Sequence, residues 1–170
     1  MPNDMKVMEK SLIKERQERN PEYFERRELI FWLLAAMVGT RALHSILNAS
    51  YCLIHGLDIP TSEYVMMFVM VLVALVFASI IYSAGALPAV YLALFGGVYS
   101  LFTAYNDGIF LMLSSQDTLI SAMTVLFIGT IAIQILTMAF IGTDKKCRLY
   151  MRTMAEVRKE LMIQVKSKGK

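Results

Sequence analysis

The sequence predicts an all-α, polytopic membrane protein: a bundle of four transmembrane helices with both termini in the cytoplasm and an amphipathic C-terminal helix. Three observations indicate this class. Four apolar runs are long enough to cross a bilayer, the charged residues gather at the two ends of the chain, and a helical pattern of apolar and basic residues follows the last run. Of the 170 residues, 56% are hydrophobic and 18% are charged, which is less charge than a soluble domain carries.

The charges divide the chain into three parts. Residues 1–28 hold seven Lys or Arg and seven Asp or Glu, and residues 143–170 hold nine and three. The stretch between them contains one basic side chain, Arg41. Its four acids are Asp58, Glu63, Asp107 and Asp117. We therefore expect a cytoplasmic, partly helical N-terminal segment (1–28), a transmembrane domain (29–142) and a basic cytoplasmic tail helix (143–170).

The transmembrane domain is predicted to cross the bilayer four times, because about 20 apolar helical residues span the hydrocarbon core. The spans are residues 29–54, 64–82, 88–105 and 119–141. An even number of spans puts both termini on one side, and Lys and Arg favour the cytoplasmic side. All the basic residues except Arg41 lie in the terminal segments. The sequence thus predicts a multi-pass protein of the cell membrane with cytoplasmic termini.

Two boundaries have competing interpretations. Asn20 followed by Pro21 is typical of a helix start, so the first helix is expected to begin there, ahead of the apolar run. The apolar residues 109–115 fit either the end of the third transmembrane helix or a segment that lies at the membrane interface.

The first span carries a stripe of polar side chains at intervals of three and four residues, which places them on one helical face. The stripe consists of Arg41, His44, Asn48, Tyr51 and His55. Arg41 lies roughly 18 Å beyond Leu29 along the helix. An arginine at that depth costs about 2.5–3.5 kcal/mol on insertion scales. Either Arg41 snorkels or forms a structural ion pair, with Asp107 as the candidate counter-ion, or the stripe binds an anion or relays protons.

The later spans differ in their polar content. The third has a face of small residues that predicts close helix packing, either as the packed centre of the bundle or as a homodimer contact. This face consists of Ala89, Ala93, Gly96, Gly97, Ser100 and Ala104. The fourth has a second polar face, Thr130, Gln134 and Thr137, which either joins the stripe in a polar route or makes hydrogen bonds between helices. The second span is almost wholly apolar and is expected to be the most lipid-exposed.

The tail pattern predicts a basic amphipathic helix. Its apolar stripe consists of Cys147, Tyr150, Met151, Met154, Val157, Leu161, Met162 and Val165. Such a helix can bind the anionic lipid headgroups of the inner leaflet, dock on a protein partner or form a coiled coil. The N-terminal segment has a weaker apolar stripe and is interpreted as a solvated helix or a second contact arm.

No reaction-specific motif is present. The sequence lacks a phosphate-binding glycine loop, a nucleophile elbow, an HExxH pattern and paired carboxylates within a span, so we expect no enzyme, cofactor or metal. The basic excess adjoins the bilayer and predicts no nucleic-acid partner. The leading hypothesis is a non-enzymatic membrane protein that acts through a protein partner or homo-oligomer, as an accessory, regulatory or immunity-type subunit. The alternative is a small oligomeric transporter or channel subunit that uses Arg41 and His44 to bind an anion or relay protons.

Overall fold

The chain is almost entirely helical. The computed structural model describes residues 2–56 and 60–168, and within these ranges it contains no strand. The α-helices are α1 (Pro2–Arg19), α2 (Arg27–Ile54), α3 (Thr61–Ala84), α4 (Leu87–Asn106), α5 (Thr118–Thr143) and α6 (Lys145–Lys168), and two 3₁₀ helices cover Pro21–Phe24 and Ile109–Ser114. The predicted all-α class is confirmed. Of the four acids expected between the spans, Asp58 lies outside the described residues.

Four of the helices, α2 to α5, are long and apolar enough to cross a membrane. The prediction of four apolar spans is confirmed, and each predicted span falls within one helix. The helices extend a few residues beyond the apolar runs. At α5 the start is capped by Asp117, which accepts hydrogen bonds from the backbone nitrogens of Leu119 and Ile120, at 2.8 and 3.3 Å.

A helical segment begins at Pro21, as predicted, with Asn20 at its N-cap position. Asn20 makes no side-chain capping bond, however, and the segment Pro21–Phe24 is a 3₁₀ helix, so that the α-helix α2 begins only at Arg27. At the other uncertain boundary, Gly108 adopts a left-handed conformation with φ of 70°, which interrupts the helical path after α4. Residues 109–114 therefore form a separate 3₁₀ helix instead of extending α4.

The most enclosed of the four apolar helices is α5, which contacts both α2 and α4. The expectation that α4 is the packed centre is wrong, because three of its residues are buried, against seven in α5, and it carries exposed aromatic rings, including Tyr91, Phe95 and Phe102. The second span was expected to be the most lipid-exposed, and α3 is indeed the least buried of the four. In its most apolar 18-residue stretch 11% of the residues are buried, against 17% in the corresponding stretch of each of the other three apolar helices.

The four apolar helices have chemically different ends. We call the basic end the one where α2 begins and α5 finishes, because the charged helices α1 and α6 lie there in contact with each other. We call the opposite one the acidic end, because Glu63, Asp107 and Asp117 lie there at the termini of α3, α4 and α5. The charged terminal segments and the acids between the apolar helices therefore lie at opposite ends of the structure.

Helix α6 packs its apolar face onto the basic end. Tyr150 and Met151 are fully buried in one core cluster with Ile30, Ile81 and Val90 of the apolar helices. The hydroxyl of Tyr150 donates to the backbone oxygen of Tyr82 at 3.1 Å. Ion pairs between α1 and α6 add to the contact: Arg16 with Glu160, and Arg158 with Glu9 at 3.5 Å.

The predicted apolar stripe of α6 is therefore covered by the chain itself as far as Leu161. Beyond that residue, Met162 and Val165 of the predicted stripe are exposed. The covered part has no free apolar face for a lipid surface or a coiled-coil partner.

Helix α6 is also anchored at its start, where Asp144 accepts a hydrogen bond of 2.8 Å from the backbone nitrogen of Cys147. That bond holds the pKa of the Asp144 carboxyl below its usual value.

Gly85 allows this close approach. It ends α3 in a left-handed conformation with φ of 60°, and its α-carbon lies directly against the backbone of α6. A β-carbon at this position would overlap the carbonyl oxygen of Met151 and lie 3.0 Å from the backbone nitrogen of Ala155. The turn between α3 and α4 thus requires glycine for both its conformation and its contact with α6.

We expect the thiol of Cys147 to resist alkylation in the folded protein. The side chain is 0% exposed, and burial raises its pKa to about 12, so the reactive thiolate is scarcely populated at neutral pH. In a Cys52→Ala chain, a maleimide should label Cys147 only after unfolding. A Ser167→Cys substitution, at an exposed position of α6, should be labelled at once. Rapid labelling of Cys147 in the folded chain would contradict the docking of α6.

Candidate functional site

The lone basic residue of the apolar region links three helices. Arg41 on α2 donates from Nη1 to Oε1 of Gln134 on α5 at 2.8 Å. The amide nitrogen of Gln134 in turn donates to the backbone oxygen of Ala93 on α4, also at 2.8 Å. The side chain of Gln134 is thus held at both ends, and it presents its oxygen to the guanidinium.

Gly97 makes room for this network. A backbone carbonyl in a helix has a second lone pair that can accept a bond from outside the helix, provided that no side chain covers it. A β-carbon on Gly97 would lie 2.9 Å from Cγ1 of Ile135 and 3.4 Å from Nε2 of Gln134. The small-residue face of α4 therefore does more than bring two helices together, since it also admits Gln134 to the carbonyl of Ala93.

Arg41 lies in a cavity of about 440 Å³ that extends towards the acidic end, which we call the Arg41 cavity. His44 lines one wall, with its ring centroid 5.2 Å from that of Phe127. Ser100, Thr103 and Thr130 add hydroxyl groups to the lining, and Glu63 and Asp107 bring carboxylates to it from the acidic end. The site is thus an open, partly polar recess with its guanidinium at the deep end.

A second cavity, of about 410 Å³, meets the same guanidinium from the gap between α3 and α4. Its lining is mostly apolar, and it includes Gly96 and Ser100 of the small-residue face together with Gln134. A β-carbon on Gly96 would have no neighbour within 4 Å, so this part of the face borders open space. Arg41 is therefore approached both from the acidic end and from between two helices.

Towards the basic end the recess is closed by apolar side chains. These side chains are each no more than 4% exposed and belong to the core cluster that α6 completes: Leu34, Met37, Ile81, Met138 and Ile141. Thr137 is buried near these residues, on the α5 face that also carries Thr130 and Gln134. Polar groups therefore line the recess from the acidic end only as far as Arg41 and Gln134, and an apolar layer lies beyond them, so the described residues do not form the predicted polar route through all four helices.

The proposed counter-ion does not pair with Arg41 in this structure. Asp107 is exposed, and it lines the Arg41 cavity without forming an ion pair with the guanidinium. Across residues 5–56 and 60–167, no carboxylate forms a salt bridge with Arg41. The first acceptor at the depth of Arg41 is instead the neutral amide of Gln134, because Asp107 lies beyond the last turn of α4.

The other residues of the stripe in the first span do not share a site with Arg41 and His44. The side-chain amide of Asn48 contacts the sulfur of Met67 on α3 at 3.7 Å. The rings of Tyr51 and His55 lie with centroids 4.3 Å apart and are tilted by 40°, and they line a different, mainly apolar cavity of about 280 Å³ beside the start of α5. Since the stripe faces two neighbouring helices in succession, only its deep end belongs to the Arg41 cavity.

The remaining predicted site residues have local roles. Thr130 is buried, and its hydroxyl donates to the backbone oxygen of Leu126 at 2.9 Å. In the small-residue face of α4, Gly97 and Ala104 are buried, while Ala89 and Ala93 pack at the edge of the core cluster. Within the described residues, no three His, Cys, Asp or Glu side chains are grouped as metal ligands.

Charge is the distinctive feature of this arrangement. Insertion of an arginine at mid-membrane costs about 2.5–3.5 kcal/mol, and a hydrogen bond to a charged group returns about 1.5–3 kcal/mol. Gln134 therefore offsets much of that cost but leaves the positive charge itself unneutralised. An anion that entered the Arg41 cavity would supply the missing charge in surroundings of low dielectric constant, where such a contact is strong.

Sequence reasoning identified Arg41, His44 and Gln134 but placed them on two separate faces. It offered a polar route shared by the two faces as one interpretation, but it did not predict the hydrogen bond between Arg41 and Gln134. No protein-family model, no curated protein and no solved structure matches this chain.

Proposed function

We propose that this is a multi-pass protein of the cell membrane in which α2 to α5 form a four-helix bundle and both termini are cytoplasmic. The position of α1 and α6 together at the basic end supports this orientation, because Lys and Arg favour the cytoplasmic side of a membrane. The acidic end then faces outwards. The Arg41 cavity is reached from that outer side.

Impermeant thiol reagents should confirm this orientation. In a Cys52→Ala chain, where Cys147 is buried, Ser62→Cys at the acidic end should react with an impermeant maleimide on intact cells. Ser167→Cys, exposed on α6, should react only after the cells are opened. Labelling of Ser167→Cys on intact cells would contradict a cytoplasmic α6.

For its function, we propose that the protein binds a small anionic solute at Arg41 from the outer side, as a transporter or as a subunit of one. The observation that carries this proposal is the guanidinium at the deep end of an open cavity, where its hydrogen-bond partner among the described side chains is a neutral amide. His44 on the wall supplies a second hydrogen-bonding group for the solute or a proton relay. The apolar layer on the basic side corresponds to a closed inner gate, so that passage requires its rearrangement.

Substitution of Arg41 tests this proposal. Loss of one charge-assisted bond should weaken the binding of an anion roughly 10- to 100-fold, measured as the shift of the thermal unfolding midpoint with a panel of small anions. Arg41→Gln should abolish the shift and any solute flux into proteoliposomes, while Arg41→Lys should retain part of both. Arg152→Gln removes an exposed cation of α6 and serves as the matched control. Equal anion responses in Arg41→Gln and in the unsubstituted protein would overturn the proposal.

A second candidate function is action through a partner protein, as an accessory, regulatory or immunity-type subunit. The observation that favours it is the apolar end of α6, where Met162, Ile163 and Val165 are 57%, 60% and 39% exposed. The basic side chains around them are also placed to meet anionic lipid headgroups. Replacing the three apolar residues by serine leaves the covered part of α6 unchanged. Loss of a cross-linked partner in that variant, together with a silent Arg41→Gln, would favour this candidate over anion binding.

A further inference from the structure

Two adjoining cavities lie between α2 and α3 at the basic end, away from Arg41. The first, of about 820 Å³, lies where α2 begins, and charged and aromatic residues line it. The second, of about 400 Å³, continues along the apolar surfaces of both helices. Phe31 and Tyr82 belong to both linings, so the two cavities meet at these rings. We call the first the headgroup cavity and the second the apolar groove.

The apolar groove exists because α2 carries small residues at this level. Ala35 and Gly39 line it together with Val38 and Leu75, and a β-carbon added to Gly39 would meet nothing within 4 Å. From Phe31 to Gly39, the part of α2 that lines the groove, the helix rises roughly 12 Å. That length is most of one leaflet of a hydrocarbon core about 30 Å thick. The groove is thus long enough for much of an acyl chain.

The headgroup cavity contains one cation and one anion that lack ionic partners among the described residues. Arg27 donates from Nε to the neutral hydroxyl of Tyr82 at 3.1 Å, and Glu28 forms no salt bridge. The third charged residue of the lining, Glu25, is already paired with Lys146 at 2.6 Å. The cavity therefore offers two charges of opposite sign within one lining.

Aromatic rings surround these charges. Phe31 lies with its ring centroid 5.3 Å from that of Trp32 and 5.7 Å from that of Tyr82. Phe24 closes the side next to α6, where its ring meets that of Tyr150 at 5.9 Å. Aromatic faces attract organic cations, and Trp and Tyr prefer the level of the lipid headgroups.

We propose that the headgroup cavity and the apolar groove together form a site for one zwitterionic phospholipid of the inner leaflet. The phosphate pairs with Arg27, the ammonium group lies by Glu28 and the aromatic rings, and one acyl chain occupies the groove. An anionic phospholipid fits less well, because it leaves Glu28 without a cation and adds repulsion. The order of polar and apolar lining along α2 matches the order of headgroup and chain in a lipid.

The test uses Trp32, which is the only tryptophan of the chain and is 68% exposed in the headgroup cavity. The protein is reconstituted into vesicles in which a fixed mole fraction of the lipid has brominated acyl chains, which quench the fluorescence of a nearby tryptophan. Brominated phosphatidylcholine and phosphatidylethanolamine are compared with brominated phosphatidylglycerol. We expect the zwitterionic lipids to quench Trp32 as if enriched roughly two- to tenfold over the bulk lipid.

Three variants locate the effect. Arg27→Gln and Glu28→Gln should each remove the headgroup preference, and Gly39→Leu should reduce the quenching by all three lipids because it fills the groove. Arg152→Gln is the matched control for loss of a cation, and it should retain the preference. Quenching that follows the mole fraction whatever the headgroup, or that is stronger with phosphatidylglycerol, would overturn the proposal. So would a preference that survives Arg27→Gln.

Discussion

Replacing Gly85 by alanine is expected to release α6 from the basic end of the apolar helices. The left-handed backbone at Gly85 costs other residues about 1–2 kcal/mol. The added β-carbon would also overlap the backbone of α6 at Met151, which cannot turn aside as a flexible side chain can. Because Tyr150 and Met151 complete the core cluster, separation at this point removes large buried side chains from the packing at the basic end.

The release can be measured with the thiol of Cys147. In a Cys52→Ala, Gly85→Ala chain the maleimide should label Cys147 without denaturant, and the unfolding midpoint should fall. Gly129→Ala is the matched control, because a β-carbon there has no neighbour within 4 Å. Gly85→Asn tolerates the left-handed backbone but still adds the β-carbon, so it should also expose the thiol. A protected Cys147 in the Gly85→Ala chain would show that α6 does not depend on this contact.

Replacing Gln134 by leucine is expected to give the second large loss of stability. The substitution removes the acceptor for Arg41 and leaves a half-buried guanidinium without that partner, and loss of a bond to a charged group costs about 1.5–3 kcal/mol. The side-chain bond from Gln134 to the backbone oxygen of Ala93 is lost as well. We expect a decrease of about 3 kcal/mol in the free energy of unfolding.

A double-mutant cycle separates the charge from the packing. Arg41→Leu combined with Gln134→Leu should recover most of the stability that Gln134→Leu loses, because the unpaired cation is then absent. The four proteins are compared by urea or thermal unfolding in one detergent. Strictly additive effects would show that Arg41 and Gln134 do not depend on each other. Gln134→Glu adds a distinct readout, since an internal carboxylate should compete with any anion for Arg41 and abolish its binding.

The extent of the apolar helices could be predicted from the sequence because lipid imposes a simple rule. A helix that crosses a bilayer needs about 20 apolar residues, so the predicted spans 64–82 and 119–141 lie within a few residues of α3 and α5. The end of α4 is harder to predict from the sequence, because the residues after Gly108 remain apolar. The left-handed backbone of that glycine, which hydropathy does not report, separates them from the helix.

Contacts between helices could not be predicted in the same way. Helical spacing gives the depth and the face of Arg41 on its own helix, but it does not say which neighbour meets that face. Opposite charge suggested Asp107, whereas the amide of Gln134 lies at the right depth and is the partner in the structure. Similarly, the stripe of α6 indicated that something covers it. Only the fold shows that the covering surface is the basic end of the chain's own apolar helices.

The docking of α6 also constrains biosynthesis. The ribosome makes this helix after all four apolar helices, yet Tyr150 and Met151 fill the space between Ile30, Ile81 and Val90. Until α6 has been made, the four apolar helices therefore lack the side chains that fill the core at their basic end. We expect a product that stops short of α6 to leave these core residues uncovered and to be less stable than the longer chain.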